Sequence, residues 1–90
     1  MAKLCKKCIV TGRVQGVFFR ASAREKALDN GLCGWARNLG DGTVEVMLCG
    51  ESQEVELVSE WLWQGPPYAD VEKVSCEELE YQALSGFETS

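Results

Sequence analysis

Two strand–helix–strand patterns follow one another within the 90 residues of this sequence, and their order limits the possible folds more than any other feature. In the first pattern, β-branched residues at 9–11 indicate a strand over 4–12, which ends at a glycine. A helix from Arg20 follows and stops at an Asn-Gly pair, and a second strand over 33–39 completes the unit.

The second pattern begins at a hairpin, because Gly-Asp-Gly at 40–42 separates the second strand from a third over 43–50. Ser52 is the expected N-cap of the second helix. Gly-Pro-Pro at 65–67 ends that helix. The strand over 69–81 alternates imperfectly between apolar and polar residues, which predicts a β-bulge.

The order βαββαβ predicts an α/β (α+β) fold, a ferredoxin-like sandwich. Each helix must return the chain by a right-handed crossover that leaves room for one strand between the two it connects. We therefore expect an antiparallel sheet with both helices on one face and a short fifth strand around Phe87. No linker or repeat divides the sequence, so residues 1–90 are expected to form a single domain.

The composition excludes several kinds of function. The sequence has no histidine, which rules out His-dependent catalytic triads and His-containing metal sites. No apolar run could span a membrane and no signal peptide precedes the first strand, so we expect a cytoplasmic protein without membrane association. Residues 41–90 carry twelve acidic side chains and one basic, which disfavours nucleic acid as a partner. Residues 1–40, with eight basic and two acidic side chains, could attract a small anion.

The stretch GRVQGVFFR, residues 12–20, is the first candidate site. The first backbone N–H groups of a helix have no partner within it, and glycines allow the chain to curl around an anion. An arginine at the rim could hold two oxygens of that anion in a bidentate contact. The alternative is an ordinary strand–helix connection whose glycines serve packing. The candidate binding residues are Gln15, Gly16, Val17, Phe18, Phe19 and Arg20.

Asn38 is the second candidate, near the end of the second strand. A side-chain amide there could orient a water molecule by accepting one hydrogen bond and donating another. The alternative is an asparagine that completes the turn before Asp41, and the residue pattern by itself favours this alternative.

GRVQGVFFR and the later GWARNLGDGTVEV, residues 34–46, together resemble the two sequence signatures of the acylphosphatase family. LWQGPPYADV at 62–71 and GFE at 86–88 are similar to further segments of that family, so the resemblance covers nearly the whole chain in order. It implies a ferredoxin-like monomer that hydrolyses the carboxyl–phosphate bond of small-molecule acyl phosphates without a metal or cofactor. It also implies that Arg20 and the 15–20 loop bind the phosphate, while Asn38 positions the attacking water.

The implied chemistry suits a chain without histidine. The leaving group of an acyl phosphate is a carboxylate, which departs without being protonated, so no general acid is required. The remaining tasks are to hold a water in line and to neutralise charge on the phosphoryl oxygens. Two other hypotheses remain open: an anion-binding module of the same fold without turnover, and a nucleic-acid-binding module.

Five cysteines raise separate questions. Cys5 and Cys8 are spaced as in small metal-carrying domains, but residues three apart in a strand point to opposite faces, so we expect no metal site. We place Val10 opposite Val44 on the third strand. The same register brings Cys5 beside Cys49 on the helix-free face. The two cysteines could form a disulfide or remain as two free thiols. Small packing residues are expected at Cys8, Cys33 and Cys76.

Overall fold

The computed structural model describes residues 2–90, in which two helices pack on one five-stranded sheet. The sheet order is β4-β1-β3-β2-β5, so one strand lies between the two strands that each helix connects, as the ferredoxin-like prediction requires. Neither helix is long or apolar enough to cross a membrane within the described residues. In chain order the elements are β1 (Lys3–Arg13), α1 (Phe19–Asp29), β2 (Cys33–Asn38), β3 (Val44–Glu51), α2 (Ser52–Trp61), β4 (Asp70–Leu79) and β5 (Phe87–Thr89).

β5 corrects one prediction, because the sheet is not wholly antiparallel. The first four strands pair antiparallel, but β5 lies parallel to β2, with Phe87 beside Gly34. After β4 the chain does not reverse in a hairpin. It crosses the sheet through residues 80–86, which we call the crossing segment, and Leu84 packs there on the helix-free face. β5 therefore starts at the same end of the sheet as β2 and runs beside it in the same direction.

The main core lies between the sheet and the two helices. Alternate residues of β1 and β3 face it, and α1 contributes Phe19 with two small alanines. Burying a valine or leucine side chain stabilises the fold by roughly 1.5–3 kcal/mol. This layer therefore supplies most of the apolar stabilisation. Its fully buried members include Val10, Val44, Val46, Leu48, Val55, Val58 and Leu62.

The helix ends agree with the sequence in one case and not in the other. Gly31, at a φ of 72°, follows α1 in the left-handed conformation that its Asn-Gly pair predicted. Ser52 was expected to be the N-cap of α2 but is its first helical residue, and Glu51 takes the cap position without a side-chain bond. The N–H of Ser52 instead donates to the carbonyl of Ala2, 2.9 Å away. The neighbouring start of the chain thus satisfies a donor that a capping side chain would otherwise serve.

The predicted bulge lies in β4. Pairing with β1 shifts between Thr11 and Gly12, which leaves Glu72 as the extra residue. Gly12 has a φ of 127°, and a Cβ there would lie 2.2 Å from the carbonyl oxygen of Asp70. Only glycine can occupy this position without moving the backbone of β4. The close approach fixes where β1 leaves the sheet and enters the next turn.

One cysteine pair follows from the predicted register. Val10 pairs with Val44 and Cys5 with Cys49, as expected. A disulfide joins Cys5 to Cys49, and both residues are completely buried. The crossing segment covers this bridge, since the N–H of Gln82 lies 3.3 Å from the Cys5 sulfur.

A second disulfide joins Cys8 to Cys76, so the prediction that these two residues only fill space was wrong. Cys8 faces the main core, whereas Cys76 on the outer strand β4 is exposed. The bulge at Glu72 determines which residue of β4 lies opposite Cys8, and this register could not be derived without it. Cys33 keeps a free thiol.

Candidate active site

The turn between β1 and α1 has the backbone pattern of an anion-binding nest. Gly16 and Phe18 have φ values of 75° and 64°. Left-handed residues of this kind turn successive backbone N–H groups towards a common point. Within residues 2–90, no backbone N–H from position 15 to 20 donates to a backbone carbonyl outside α1. The first hydrogen bond into α1 comes from the N–H of Ser22 to the carbonyl of Phe18, at 3.0 Å. A row of unused donors therefore lies at the positive end of the helix dipole.

Arg20 lies beside these donors in the first turn of α1. It borders a cavity of about 290 Å³. The guanidinium is partly exposed and forms no hydrogen bond or ion pair with any other described residue. Its five N–H donors are thus available to a ligand. The residues that line the cavity are Val14, Gly16, Phe18, Phe19, Arg20, Ala21 and Thr89.

Phe19 fixes the start of α1 to the core. Its ring is 1% exposed and lies 6.1 Å from the ring of Trp61 on α2, measured between centroids. Gly65 leaves room for it, because a Cβ at that position would lie 2.9 Å from the phenyl ring. The neighbouring Arg20 is therefore held by a buried anchor one residue away.

Gln15 connects the turn to the β2–β3 hairpin through its side chain. Its Nε2 donates to the carbonyls of Leu39 and Thr43, each at 2.9 Å. These two residues flank the hairpin loop that follows Asn38. Sequence reasoning considered only the backbone of Gln15. One feature of the sequence could have indicated this second role: Gln15 is the only residue with a long amide side chain in this turn, and it lies between Val14 and Gly16.

Asn38 is the last residue of β2, and β5 helps to hold it. Its N–H donates to the carbonyl of Ser90 at 3.0 Å, and the N–H of Ser90 donates to the carbonyl of Ala36 at 3.0 Å. The side-chain amide of Asn38 is exposed and has no hydrogen-bond partner among residues 2–90. Asn38 does not line the cavity that Arg20 borders. Thr89, the neighbour of Ser90, does line it, so β5 connects the two candidate residues.

Polar contacts stiffen the hairpin that carries Asn38. Arg37 binds Glu45 across the strand pair at 2.8 Å, and its guanidinium lies 4.3 Å from the centroid of the Trp35 ring. In the loop, the hydroxyl of Thr43 donates to Asp41 at 2.6 Å and its N–H donates at 3.1 Å. These bonds, the hydroxyl's first, hold the pKa of Asp41 below its ordinary value. At neutral pH, Asp41 is therefore charged, and its bonds to Thr43 keep the loop closed.

A larger groove of about 650 Å³ lies along α2, away from the turn. Its polar lining includes Glu56, Glu60 and Glu78, and its one lysine, Lys6, is already paired with Glu56. Such a groove repels phosphate. Among residues 2–90, no three carboxylate, thiol or imidazole side chains gather closely enough to hold a metal ion. The turn at 15–20 is the better site for an anion.

Comparison with known proteins relates nearly the whole chain to one family. A sequence model of the acylphosphatase family matches residues 6–89. The chain is 57% identical over 84 residues to an acylphosphatase of Chromohalobacter salexigens, with 93% of each chain covered.

Two solved structures have the same fold. One is an acylphosphatase from Coxiella burnetii, with a TM-score of 0.93 at 44% identity, which covers 98% of this chain and 93% of that one. The other is an acylphosphatase from Bacillus subtilis, also with a TM-score of 0.93, at 32% identity, which covers 97% of this chain and 98% of that one.

Proposed function

This chain belongs to the acylphosphatase family and hydrolyses acyl phosphates, and we propose that it does so without a metal, through Arg20, the 15–20 turn and Asn38. In this proposal the backbone N–H groups of the turn and the guanidinium of Arg20 hold the phosphoryl group. Asn38 orients the water that attacks it. The observation that carries the proposal is the Arg20 guanidinium beside a row of N–H groups at a helix start, all without a partner among residues 2–90.

The donor set supports a reaction in which charge is neutralised by hydrogen bonds. Backbone N–H groups and a guanidinium bind phosphoryl oxygens directly, and Arg20 can contact two of them at once. As the bond from phosphorus to the carboxylate oxygen breaks, negative charge spreads over the phosphoryl oxygens. Donors already directed at those oxygens stabilise that charge without rearranging. The carboxylate leaves as an anion and takes no proton.

Asn38 has the chemistry for orienting a water but not for deprotonating it. The amide oxygen accepts one hydrogen bond and the amide nitrogen donates two, so a water can be held with a lone pair towards phosphorus. The proton that the water loses goes to the phosphoryl group, and the products are a carboxylate and inorganic phosphate. The side-chain amide at the end of β2, which is exposed and has no hydrogen-bond partner among residues 2–90, supports this role.

The remaining predictions from the sequence belong to the same proposal. We propose that the enzyme acts as a cytoplasmic monomer on small molecules, with residues 1–90 as a single domain. Nucleic acid is not expected as a partner because the second half of the chain is strongly acidic.

Hydrolysis of benzoyl phosphate in excess EDTA tests the proposal. Activity equal to that without chelator is expected, since no step uses a metal. Under the same conditions, Asn38→Ala should lower kcat at least tenfold and leave competitive inhibition by inorganic phosphate nearly unchanged, because the water is misplaced while the phosphate grip is intact. Loss of activity in EDTA would contradict metal independence. Parallel loss of phosphate inhibition would make Asn38 a residue that grips the phosphate.

A further inference from the structure

Phe18 is the most unusual residue of the phosphate turn. Its φ of 64° makes it the one residue other than glycine with a positive φ among residues 2–90. A bulky side chain is strained in this left-handed conformation, whereas glycine adopts it readily. Gly16, two residues earlier, does so at a φ of 75°. The chain thus keeps an aromatic ring at a position where glycine would fold with less strain.

The ring of Phe18 is also exposed at the cavity. It is 76% exposed, although Phe19 beside it is buried in the core. Among the side chains that line the cavity, Val14 and Phe19 are buried, and Ala21 and Thr89 are small. Among the described residues that line the cavity, Phe18 therefore offers the one large exposed apolar surface to a bound molecule. Strained residues of this kind concentrate at functional sites.

The two ends of an acyl phosphate make different demands on the site. The phosphoryl end binds polar donors, which the turn and Arg20 supply under the proposed function. The acyl end must then extend away from the helix start. Nothing in the donor set distinguishes one acyl group from another, because the donors contact phosphoryl oxygens alone. Apart from the leaving-group ability of each carboxylate, which belongs to the substrate, selection by the protein has to come from side chains at the cavity mouth.

We propose that the side chain of Phe18 contacts the acyl group and favours aromatic and longer apolar acyl phosphates over acetyl phosphate. This inference rests on the proposed function, since it assumes that the phosphoryl group binds at the 15–20 turn. A flat apolar ring gains from covering a second ring or an alkyl chain, and a methyl group covers little of it. Covering part of one aromatic ring raises kcat/KM about fivefold to tenfold.

The test measures the ratio of kcat/KM for benzoyl phosphate to kcat/KM for acetyl phosphate in the wild type and three variants. Phe18→Gly removes the ring and relieves the backbone, while Phe18→Ala removes the ring and keeps the strained conformation. Phe18→Tyr keeps the ring as the matched control. A ratio is used because any disturbance of the phosphate turn affects both substrates alike. Thermal unfolding of each variant checks that it is folded.

We expect the ratio to fall about fivefold to tenfold in both the glycine and the alanine variants and to stay within about twofold of the wild type in the tyrosine variant. A ratio within about twofold of the wild type in Phe18→Gly and Phe18→Ala would overturn the inference. An equal fall in Phe18→Tyr would also overturn it, because the ring would not be the cause.

Arg20→Ala, assayed on both substrates, separates this inference from the proposed function. If Arg20→Ala is inactive and the Phe18 variants keep the wild-type ratio, the phosphate site stands and the acyl contact fails. If Arg20→Ala hydrolyses both substrates normally, the proposed site itself is wrong and the inference fails with it.

Discussion

The two ends of strand β1 are held in place by different means. At its beginning, Cys5 and Cys8 are bonded to the two neighbouring strands, one on each face of the sheet. At its far end, Gly12 leads into a turn that is held without a covalent bond, by the buried side chains of Val14 and Phe19 and by two hydrogen bonds from the side chain of Gln15. The first end is covalently closed through the buried side chains of Cys5 and Cys8, whereas the second has an open cavity and N–H donors that lack partners among residues 2–90.

This difference separates stability from activity along one strand. The N–H groups of the turn and the Arg20 guanidinium must stay open to a ligand, so the site end cannot be closed in the same way. The cysteine end has no such constraint. Variants at the site end should change turnover with little effect on unfolding, and variants at the cysteine end should do the reverse.

Substitution of Arg20 should give the largest effect. In Arg20→Ala, kcat/KM for benzoyl phosphate should fall about a hundredfold or more, because the main charged donor to the phosphoryl oxygens is lost. Arg20→Lys should recover little of this activity, since an ammonium cannot make the bidentate contact. The melting temperature should stay close to that of the wild type, because Arg20 has no partner among the described residues. A lysine variant with near-normal turnover and phosphate affinity would contradict the bidentate contact.

The double variant Cys5→Ala/Cys49→Ala should lower the free energy of unfolding by about 2–4 kcal/mol, as removal of a buried disulfide usually does. Its kcat should match the wild type, and urea unfolding beside an activity assay measures both. Cys33→Ala, which removes a cysteine that forms no bridge, is the matched control. Before either experiment, a thiol titration of unfolded protein purified without reductant should find the single thiol of Cys33. Five reactive thiols would mean that neither bridge forms.

Gln15→Ala should have a smaller effect than the substitutions of Arg20 and of the Cys5–Cys49 pair. Loss of its two hydrogen bonds to the hairpin should lower kcat about tenfold, because Asn38 is no longer held relative to the turn. Competitive inhibition by inorganic phosphate should change by less than about twofold, since the backbone donors remain. Gln15→Met, which nearly keeps the size, is uncharged and cannot donate, should behave like the alanine variant. Parallel losses of kcat and phosphate affinity would show that Gln15 acts on the phosphate and not on Asn38.

The sequence contained enough to predict the order of elements and the register of β1 with β3. Alternating valines set that register, and the pairing of Val10 with Val44 then brought Cys5 to Cys49. The register of β4 was harder to predict, because apolar and polar residues alternate weakly along this exposed strand and the extra residue Glu72 shifts its pairing with β1. Cys76 could therefore not be matched to Cys8. The parallel direction of β5 depends on the route of the crossing segment, which no local pattern specifies.

The candidate site was predictable where it depends on local structure. Arg20 lies in the first turn of α1 because glycines and a strand end precede it, and these features are visible in the sequence. The side-chain role of Gln15 depends on a contact with residues 24 and 28 positions later, which spacing alone cannot reveal. The left-handed backbone at Phe18 was also missed, because a phenylalanine seldom adopts it.

The hydrogen bond between Asn38 and Ser90 limits when the candidate site can form during protein synthesis. Asn38 is synthesised well before Ser90, and β1 likewise waits for β3 and β4. A growing chain therefore contains Arg20 and Asn38 well before β5 can hold Asn38 in register. If Asn38 acts as proposed, we expect catalytic competence only after residue 90 has left the ribosome and bonded to Asn38.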